Sequence, residues 1–259
     1  MKPTSIQIET TAFCNASCSF CPHRCMKRQM GVMDMDLFKD IIDQSKEFEF
    51  EKVLLFLNGE PFMDPMMDER IDYVNKVLEG RVELMLYSNL AVPLKESTLE
   101  RIKSCTLVVS IAENIHEPTL FDNLKKLQKV GIKIQVHSVA LHTTIEKMRI
   151  LKALFPDVII HTEAFAFYNW AGRIKFPEQS TKPFVDGVCT RPATQICVLW
   201  NGDYALCCMD MENEVKLGNF KDMNLKEFWN SEIYTAYRTY PKSKFKFCKE
   251  CNMEVIENE

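Results

Sequence analysis

The sequence predicts an α/β protein, a partial (β/α)6 TIM-like barrel over residues 1–185 followed by a small β-hairpin plus helix module over 186–259. Three observations predict it. Short β-rich apolar runs alternate with amphipathic helical stretches about six times, the pattern of repeated β/α units. Runs such as KVLLFL and TLVVSIA are nearly continuously apolar, as expected of parallel strands covered on their outer face by helices. After Phe165 the alternation stops, and a loop leads to a hairpin and a cysteine pair.

Taken in order, the strands are expected at 5–13, 52–58, 82–89, 106–112, 133–140 and 158–165, and the helices at 35–48, 67–79, 95–104, 118–130 and 143–155. Gly80 and Gly131 follow the second and fourth helices, where a left-handed C-cap residue is favoured. In such a barrel the site lies at the C-terminal ends of the strands. Past the loop YNWAGRIKFPEQSTKPFVDGVC, the segment QICVLWNGDYALCC reads as two strands joined at Asn201-Gly202, a strong hairpin signal. One helix is expected in NLKEFWNSEIYTAYR, and CKEC follows it.

Length and composition narrow the function. A chain of 259 residues with 46% hydrophobic content fills a sizeable core, as one large domain or a large domain with a small appendage. A net charge of −4 without a basic tract argues against nucleic acid as a partner. No apolar run reaches the ~18 residues needed to cross a bilayer, and no secretory signal opens the chain. The expected location is therefore cytoplasmic, with no membrane partner. Eleven cysteines are too many for core filling in a compartment that does not keep disulfides, so metal or redox chemistry is expected.

Cys14, Cys18 and Cys21 come straight after the first strand, in the spacing C-x3-C-x2-C. A structural zinc ion wants four protein ligands, which this stretch supplies poorly. Thiolates hold 4Fe–4S clusters, and three of them leave one iron open to a chelating small molecule. His23 and Cys25 stand near enough in sequence to be a fourth ligand. Three buried thiols with no metal is the plainer reading.

The stretch CNASCSFC, with Phe20 in its aromatic place, resembles the C-x3-C-x-Φ-C signature of the radical SAM superfamily. That resemblance implies a cluster whose open iron binds S-adenosylmethionine. Electron transfer then cleaves the bound molecule to methionine and a 5′-deoxyadenosyl radical that abstracts a substrate hydrogen. LNGEP at 57–61 resembles the family's GGEP motif, with Asn58 in place of the first glycine. By resemblance Gly59 and Glu60 would meet the cofactor's amino group. Ser88 and Asn89 in YSNL, and Ser110 in VVSIA, occupy places where family members hold its carboxylate and ribose. His137 and Ser138 in VHSVA are weaker candidates for the pocket.

The remaining cysteines resemble the auxiliary-cluster modules called SPASM or Twitch. Cys189, then Gly202 and Cys207 in C-x12-G-x4-C, and later Cys248-x2-Cys251, follow the single-cluster Twitch form. By that resemblance these four thiolates saturate a second 4Fe–4S cluster suited to moving electrons. A four-cysteine zinc ribbon is the rival reading for this iron–sulfur module. Cys197, Cys208 and Cys105 are read as packing residues, with Cys197 or Cys208 able to replace one of the four.

The architecture resembles 2-deoxy-scyllo-inosamine dehydrogenase of aminocyclitol antibiotic biosynthesis. The resemblance implies a two-electron oxidation of a secondary alcohol to a ketone, with the auxiliary cluster taking an electron from the substrate radical. Epimerisation or cross-linking of a peptide or other natural-product precursor is the alternative. With thirteen residues before Cys14, a peptide substrate would need a separate presenting protein. A reducing partner such as flavodoxin or ferredoxin is implied. Deprotonating the substrate needs a base or a hydrogen-bonding cation. The loop FYNWAGR offers Tyr168, Asn169 and above all Arg173, and Glu9 on the inner face of strand one is the second catalytic candidate. Trp170 is equally a packing residue or a substrate contact. A reading from another class is a non-enzymatic iron–sulfur or zinc-ribbon protein.

Overall fold

Alternation of burial along the strands sets the architecture of the computed structural model, which describes residues 2–111, 114–132, 135–138, 142–156, 159–161, 168–175 and 183–256. In β1 (Ser5–Ile8), Ile6 and Ile8 join the core formed by Phe38, Ile41 and Ile42 of α1 (Met35–Ser45). Gln7 lies on the other face, in register with Leu54 on one side and Cys197 on the other. The strands β2 (Lys52–Leu54), β3 (Glu83–Ser88), β4 (Thr106–Ile111), β5 (Gln135–Ser138) and β6 (Ile159–His161) pair in parallel and in chain order, β6-β5-β4-β3-β2-β1. They are joined through α1, α2 (Met67–Leu78), α3 (Glu96–Ile102), α4 (Glu117–Lys129) and α5 (His142–Leu154).

Val53, Leu84, Leu86, Leu107 and Val109 face those helices. Leu54, Met85 and Val108, with Phe56 and Tyr87 against them, form a second cluster on the inner face. Burial on both faces is why the strand sequences are apolar without a break. The helix ends are set locally. The Asp34 side chain caps α1 by accepting from the Asp36 and Leu37 N–H groups. Gly131 is left-handed at φ 74, as expected after the fourth helix; after α2 the left-handed turn begins one residue before Gly80, at Glu79 (φ 48).

Three expectations need correction. The second strand ends at Leu54 and not at residue 58. The first strand ends at Ile8 and not at residue 13, because the chain leaves the sheet there. Thr11 then bridges Val32, and the Ala12 N–H donates to the Gly31 carbonyl at 2.9 Å, closing the base of a loop that contains the three cysteines. The helix expected over 224–238 is two, α7 (Leu225–Asn230) and α8 (Glu232–Thr239). Ser231 between them is extended at ψ 144 and caps α8 through the Tyr234 N–H. The break lets Phe228 stack on Tyr204 at 3.8 Å and Tyr234 pack tilted against Phe228 at 4.3 Å. Residues 112, 133–134, 139–140, 158 and 162–165 of the expected strands lie outside the described residues.

The C-terminal hairpin, β7 (Gln195–Val198) and β8 (Tyr204–Ala205), is antiparallel and entered through the short α6 (Thr190–Thr194). Asn201-Gly202 closes it, with Gly202 at φ 87 and its N–H donating to the Leu199 carbonyl at 2.9 Å. β7 also pairs in parallel with the whole of β1, so one eight-stranded sheet runs from β6 to β8 through the change in sequence character near residue 185.

Candidate active site

The loop that leaves β1 contains Cys14, Cys18 and Cys21 and is folded back on itself by the Thr11–Val32 bridge. A 3-10 turn (Pro22–Cys25) follows the third cysteine, whose N–H donates to the Cys18 carbonyl at 3.2 Å. Burial pushes the Cys14 and Cys21 thiols up to about 11 each. The Glu60 carboxylate and the Cys18 thiol add to the rise at Cys14, while Arg24 opposes it at Cys21. Thiols this hard to ionise become thiolates when a metal displaces their protons. Of the two other candidate ligands, His23 Nε2 is hydrogen-bonded to the Ala12 carbonyl at 2.8 Å, and Cys25 is exposed.

Glu60 ends the segment after β2 and is fully buried. Its Oε1 accepts from Ser88 Oγ at 2.6 Å and from the Phe62 N–H at 3.2 Å, and its Oε2 accepts from the Asn89 N–H at 2.8 Å. Three donors leave a carboxylate with capacity for one more. Burial dominates over them and raises the Glu60 carboxyl to about 7, so the site favours a cation that would compensate the charge. Gly59 is needed here by sterics: a Cβ on it would stand 2.1 Å from the Thr11 carbonyl oxygen and 2.9 Å from that of Phe13. The Glu60 N–H donates to the same Phe13 carbonyl at 2.8 Å. Asn89 Nδ2 donates to Asn15 Oδ1 at 2.9 Å, and Asn15 Nδ2 to the Ala91 carbonyl at 3.2 Å.

Gly59, Glu60, Ser88 and Asn89 are thus brought together against the cysteine loop. Ser110 lies one strand further along, half-buried in β4 and paired with His137 of β5. Phe20 is half-buried, and its carbonyl accepts from Trp170 Nε1 at 3.1 Å. The side chains of His137 and Ser138 lie outside the described residues.

Glu9 is buried and occupied. Arg28 pairs with it, Asn58 Nδ2 donates to it at 3.0 Å, and the Trp200 N–H does so at 3.3 Å. It anchors the far end of the cysteine loop. Arg173 donates to the Met209 carbonyl at 3.0 Å, pairs with Glu214, and places its guanidinium 5.6 Å from the Phe247 ring centre. It stands between two cavities. One, of about 750 Å³, reaches Cys21, Arg24, Cys25 and Lys27; the other, of about 480 Å³, reaches Tyr237 and Phe247. Tyr168 and Asn169 are turned away, bonded to Glu254 and Asn252 at the C-terminal end.

Cys189, Cys207, Cys248 and Cys251 line one narrow cavity. The chain brings them there from three directions. Cys189 bridges Val255 and directly precedes α6, Cys207 follows β8, and the Cys251 N–H donates to the Cys248 carbonyl at 3.1 Å. Burial pushes Cys189 up to about 11 and Cys248 to about 12, and raises Cys207 well above the ordinary thiol value. Among the described residues no three metal-ligating side chains converge on a single-ion position. Four thiols lining one cavity are a donor set that suits a thiolate-held inorganic centre. Cys197 and Cys208 do not line that cavity. Cys197 donates to Gln7 Oε1 at 3.5 Å and packs with Leu57, Leu199 and Ala205, with Cys208 against them.

Sequence reading missed the side chains that tie the two cysteine sites together. The Glu212 carboxylate accepts from the Lys27 and Arg28 N–H groups at 2.8 and 2.9 Å, and Trp200 Nε1 donates to the Gln29 carbonyl at 3.1 Å. Lys242, inside the second site, was also not singled out. No local pattern marks any of them, since each is defined by a partner more than a hundred residues away or by burial.

Residues 8–119 match the radical SAM superfamily, and residues 189–252 match SPASM, an iron–sulfur cluster-binding domain. The chain is 21% identical to the S-adenosyl-L-methionine-dependent 2-deoxy-scyllo-inosamine dehydrogenase of Niallia circulans, over 98% of this chain and 94% of that protein. Among solved structures, BtrN in complex with AdoMet and 2-DOIA superposes with a TM-score of 0.74 at 19% identity, covering 100% of this chain and 96% of BtrN. Streptococcus suis SuiB bound to S-adenosylmethionine gives a TM-score of 0.69 at 17% identity, covering 96% of this chain and 71% of SuiB. At these identities the structural likeness is one of fold.

Proposed function

We propose that the chain, whose residues 8–119 match the radical SAM superfamily and whose residues 189–252 match the iron–sulfur cluster-binding SPASM domain, oxidises a secondary alcohol to a ketone. The first 4Fe–4S cluster and S-adenosylmethionine, when bound, supply the one-electron cleavage that removes a hydrogen atom from the substrate. The balance is complete when a second electron passes to the auxiliary cluster and the hydroxyl proton to a base. The observation that carries this reading is the complete four-cysteine cage on the sheet that also leads into the three-cysteine loop. A centre with all its ligand positions filled is suited to electron transfer and not to binding substrate. The match to the 2-deoxy-scyllo-inosamine dehydrogenase over nearly the whole chain supports the same reading.

Each group of residues then has a task. Cys14, Cys18 and Cys21 hold the first cluster. Glu60 receives the cofactor's ammonium, positioned by Ser88 and Asn89, with Gly59 letting the backbones meet. Phe20 and Ser110 flank the remainder of that molecule. Arg173, on the wall of the cavity that reaches Cys21, offers a cation to the substrate oxygen. Glu9, already holding Arg28, keeps the loop in place.

The test is anaerobic reconstitution, expected to give about eight iron and eight sulfide per chain. Incubation with dithionite, S-adenosylmethionine and 2-deoxy-scyllo-inosamine deuterated at the carbinol carbon should move the label into 5′-deoxyadenosine and give one ketone for each. No 5′-deoxyadenosine under any reductant would leave the non-enzymatic metal protein as the reading. 5′-Deoxyadenosine without ketone would favour peptide modification, the reading that the fold shared with SuiB bound to the precursor peptide SuiA also supports.

A further inference from the structure

Lys242 is a lysine with no ordinary reason to be where it is. It is 2% exposed, lines the same cavity as Cys189, Cys207, Cys248 and Cys251, and forms no ion pair among the described residues. Nζ donates to the Cys251 carbonyl at 2.9 Å and to the Met253 carbonyl at 2.6 Å, the two peptide groups just after the C-x2-C motif. Its remaining face lies 4.9 Å from the centre of the Phe184 ring. Burying an ammonium without a counter-charge is costly, and two carbonyl dipoles and a ring answer only part of that cost. Asp186, the carboxylate within electrostatic range of it, is at the surface and already bound by Ser243. The cavity that Lys242 lines is where four thiolates would supply the missing negative charge. Four thiolates around an oxidised 4Fe–4S core carry two excess negative charges, and one added electron makes three.

We propose that Lys242 is the built-in counter-charge of the auxiliary cluster, raising its reduction potential so that it accepts an electron more readily. The step is a one-electron reduction of the cluster with no bond formed or broken and no proton moved. The added charge is answered by an ammonium whose position is already fixed by two backbone carbonyls. Lys242 shares the lining of that cavity with both Cys189 and Cys248. Arg191 adds a second positive charge near these cysteines. It is within electrostatic range of Cys207 and Cys208, has no ion-pair partner among the described residues, and donates through Nε to Met253 Sδ at 3.4 Å. The inference rests on these four cysteines holding a 4Fe–4S cluster.

The experiment uses the full chain with Cys14, Cys18 and Cys21 all changed to alanine, so that only the second cluster is reconstituted. Its midpoint is read by spectroscopic redox titration. Lys242→Met in that background is expected to lower the ratio of reduced to oxidised cluster at least tenfold at a fixed potential, a shift of 59 mV or more for one electron. Lys242→Arg, which keeps the charge, should stay close to the parent, and Arg191→Gln should shift in the same direction by less. If the parent holds about four iron and neither Lys242→Met nor Arg191→Gln moves the midpoint, the tuning role is overturned while the cluster stands. If the parent holds no iron, the ligand assignment itself has failed. Should Lys242→Met not retain iron, an unshifted Arg191→Gln together with a shifted Lys242→Arg would overturn the proposal.

Discussion

A fully buried carboxylate, Glu60, stands beside the three-cysteine loop, whereas a fully buried ammonium, Lys242, stands beside the four-cysteine cage. The two charges suit different occupants. A carboxylate raised to about 7 by burial, with one acceptor position to spare, is arranged for a cationic ligand that arrives and leaves. An ammonium held by two carbonyls is arranged for an anionic group that stays. One site is open and the other closed, and the polarity of the surrounding protein follows that division.

The strongest way to break the comparison is to remove a thiolate from either site. Cys14→Ala, Cys18→Ala or Cys21→Ala should abolish 5′-deoxyadenosine formation and reduce iron from about eight to about four per chain. Cys207→Ala should instead leave reductive cleavage of S-adenosylmethionine measurable while ketone formation is lost. Equal loss of both activities in the two sets would erase the functional distinction between the sites.

Gly59→Ala comes next. A methyl group directed at the Thr11 carbonyl from 2.1 Å forces apart the strand-end turn and the cysteine loop. Overpacking of this kind costs about 1–3 kcal/mol. The expected outcome is a melting temperature lower by several degrees and weaker S-adenosylmethionine binding by equilibrium dialysis.

Glu60→Gln sharpens the comparison through pH. In the apo protein the Glu60 carboxyl titrates at about 7, against an ordinary 4.5. The folded state therefore holds the proton more tightly than the unfolded state. The stability this confers is complete below pH 4.5 and is lost as pH rises through 7, by up to about 3 kcal/mol in all. Glu60→Gln removes that dependence. Denaturant unfolding of the wild type and variant at pH 5 and pH 8 should show the variant gaining relative to the wild type at the higher pH; parallel profiles would place Glu60 in a less demanding environment.

How legible these features were in the sequence follows the range of the interaction that makes them. Strand and helix positions in the barrel came from apolar periodicity, which is local, and the cysteine spacings likewise pointed to both sites. The end of β1 was misjudged because ETTAF continues to look like strand, while the Thr11–Val32 bridge that redirects it depends on a segment twenty residues on. The break at Ser231 was invisible because Ser-Glu inside a helical pattern reads equally as helix interior and as a new cap. Arg173 and Glu9 were selected for charge and position; that Glu214 and Arg28 already pair with them is a tertiary fact. Lys242 looked like any surface lysine between Pro241 and Ser243, and only burial distinguishes it.

The smallest expected effect concerns the connection between the two sites. Glu212, from the segment after Cys207 and Cys208, accepts the backbone N–H groups of Lys27 and Arg28 at the far end of the three-cysteine loop. Met211 contributes its carbonyl at 2.5 Å to Arg28 Nε, and Arg28 in turn holds Glu9. Glu212→Gln keeps the shape but replaces a charged acceptor with a neutral one. Charge-assisted bonds exceed neutral ones by about 1 kcal/mol where water has partial access, so global stability should change little. The loop itself is where the loss should appear: hydrogen exchange at Lys27 and Arg28 should quicken about fivefold while the hairpin amides of Leu199 and Tyr204 keep their protection. Unchanged exchange at both places would mean that the three-cysteine loop holds its shape without help from the C-terminal segment, and that the two sites share a sheet but not a support.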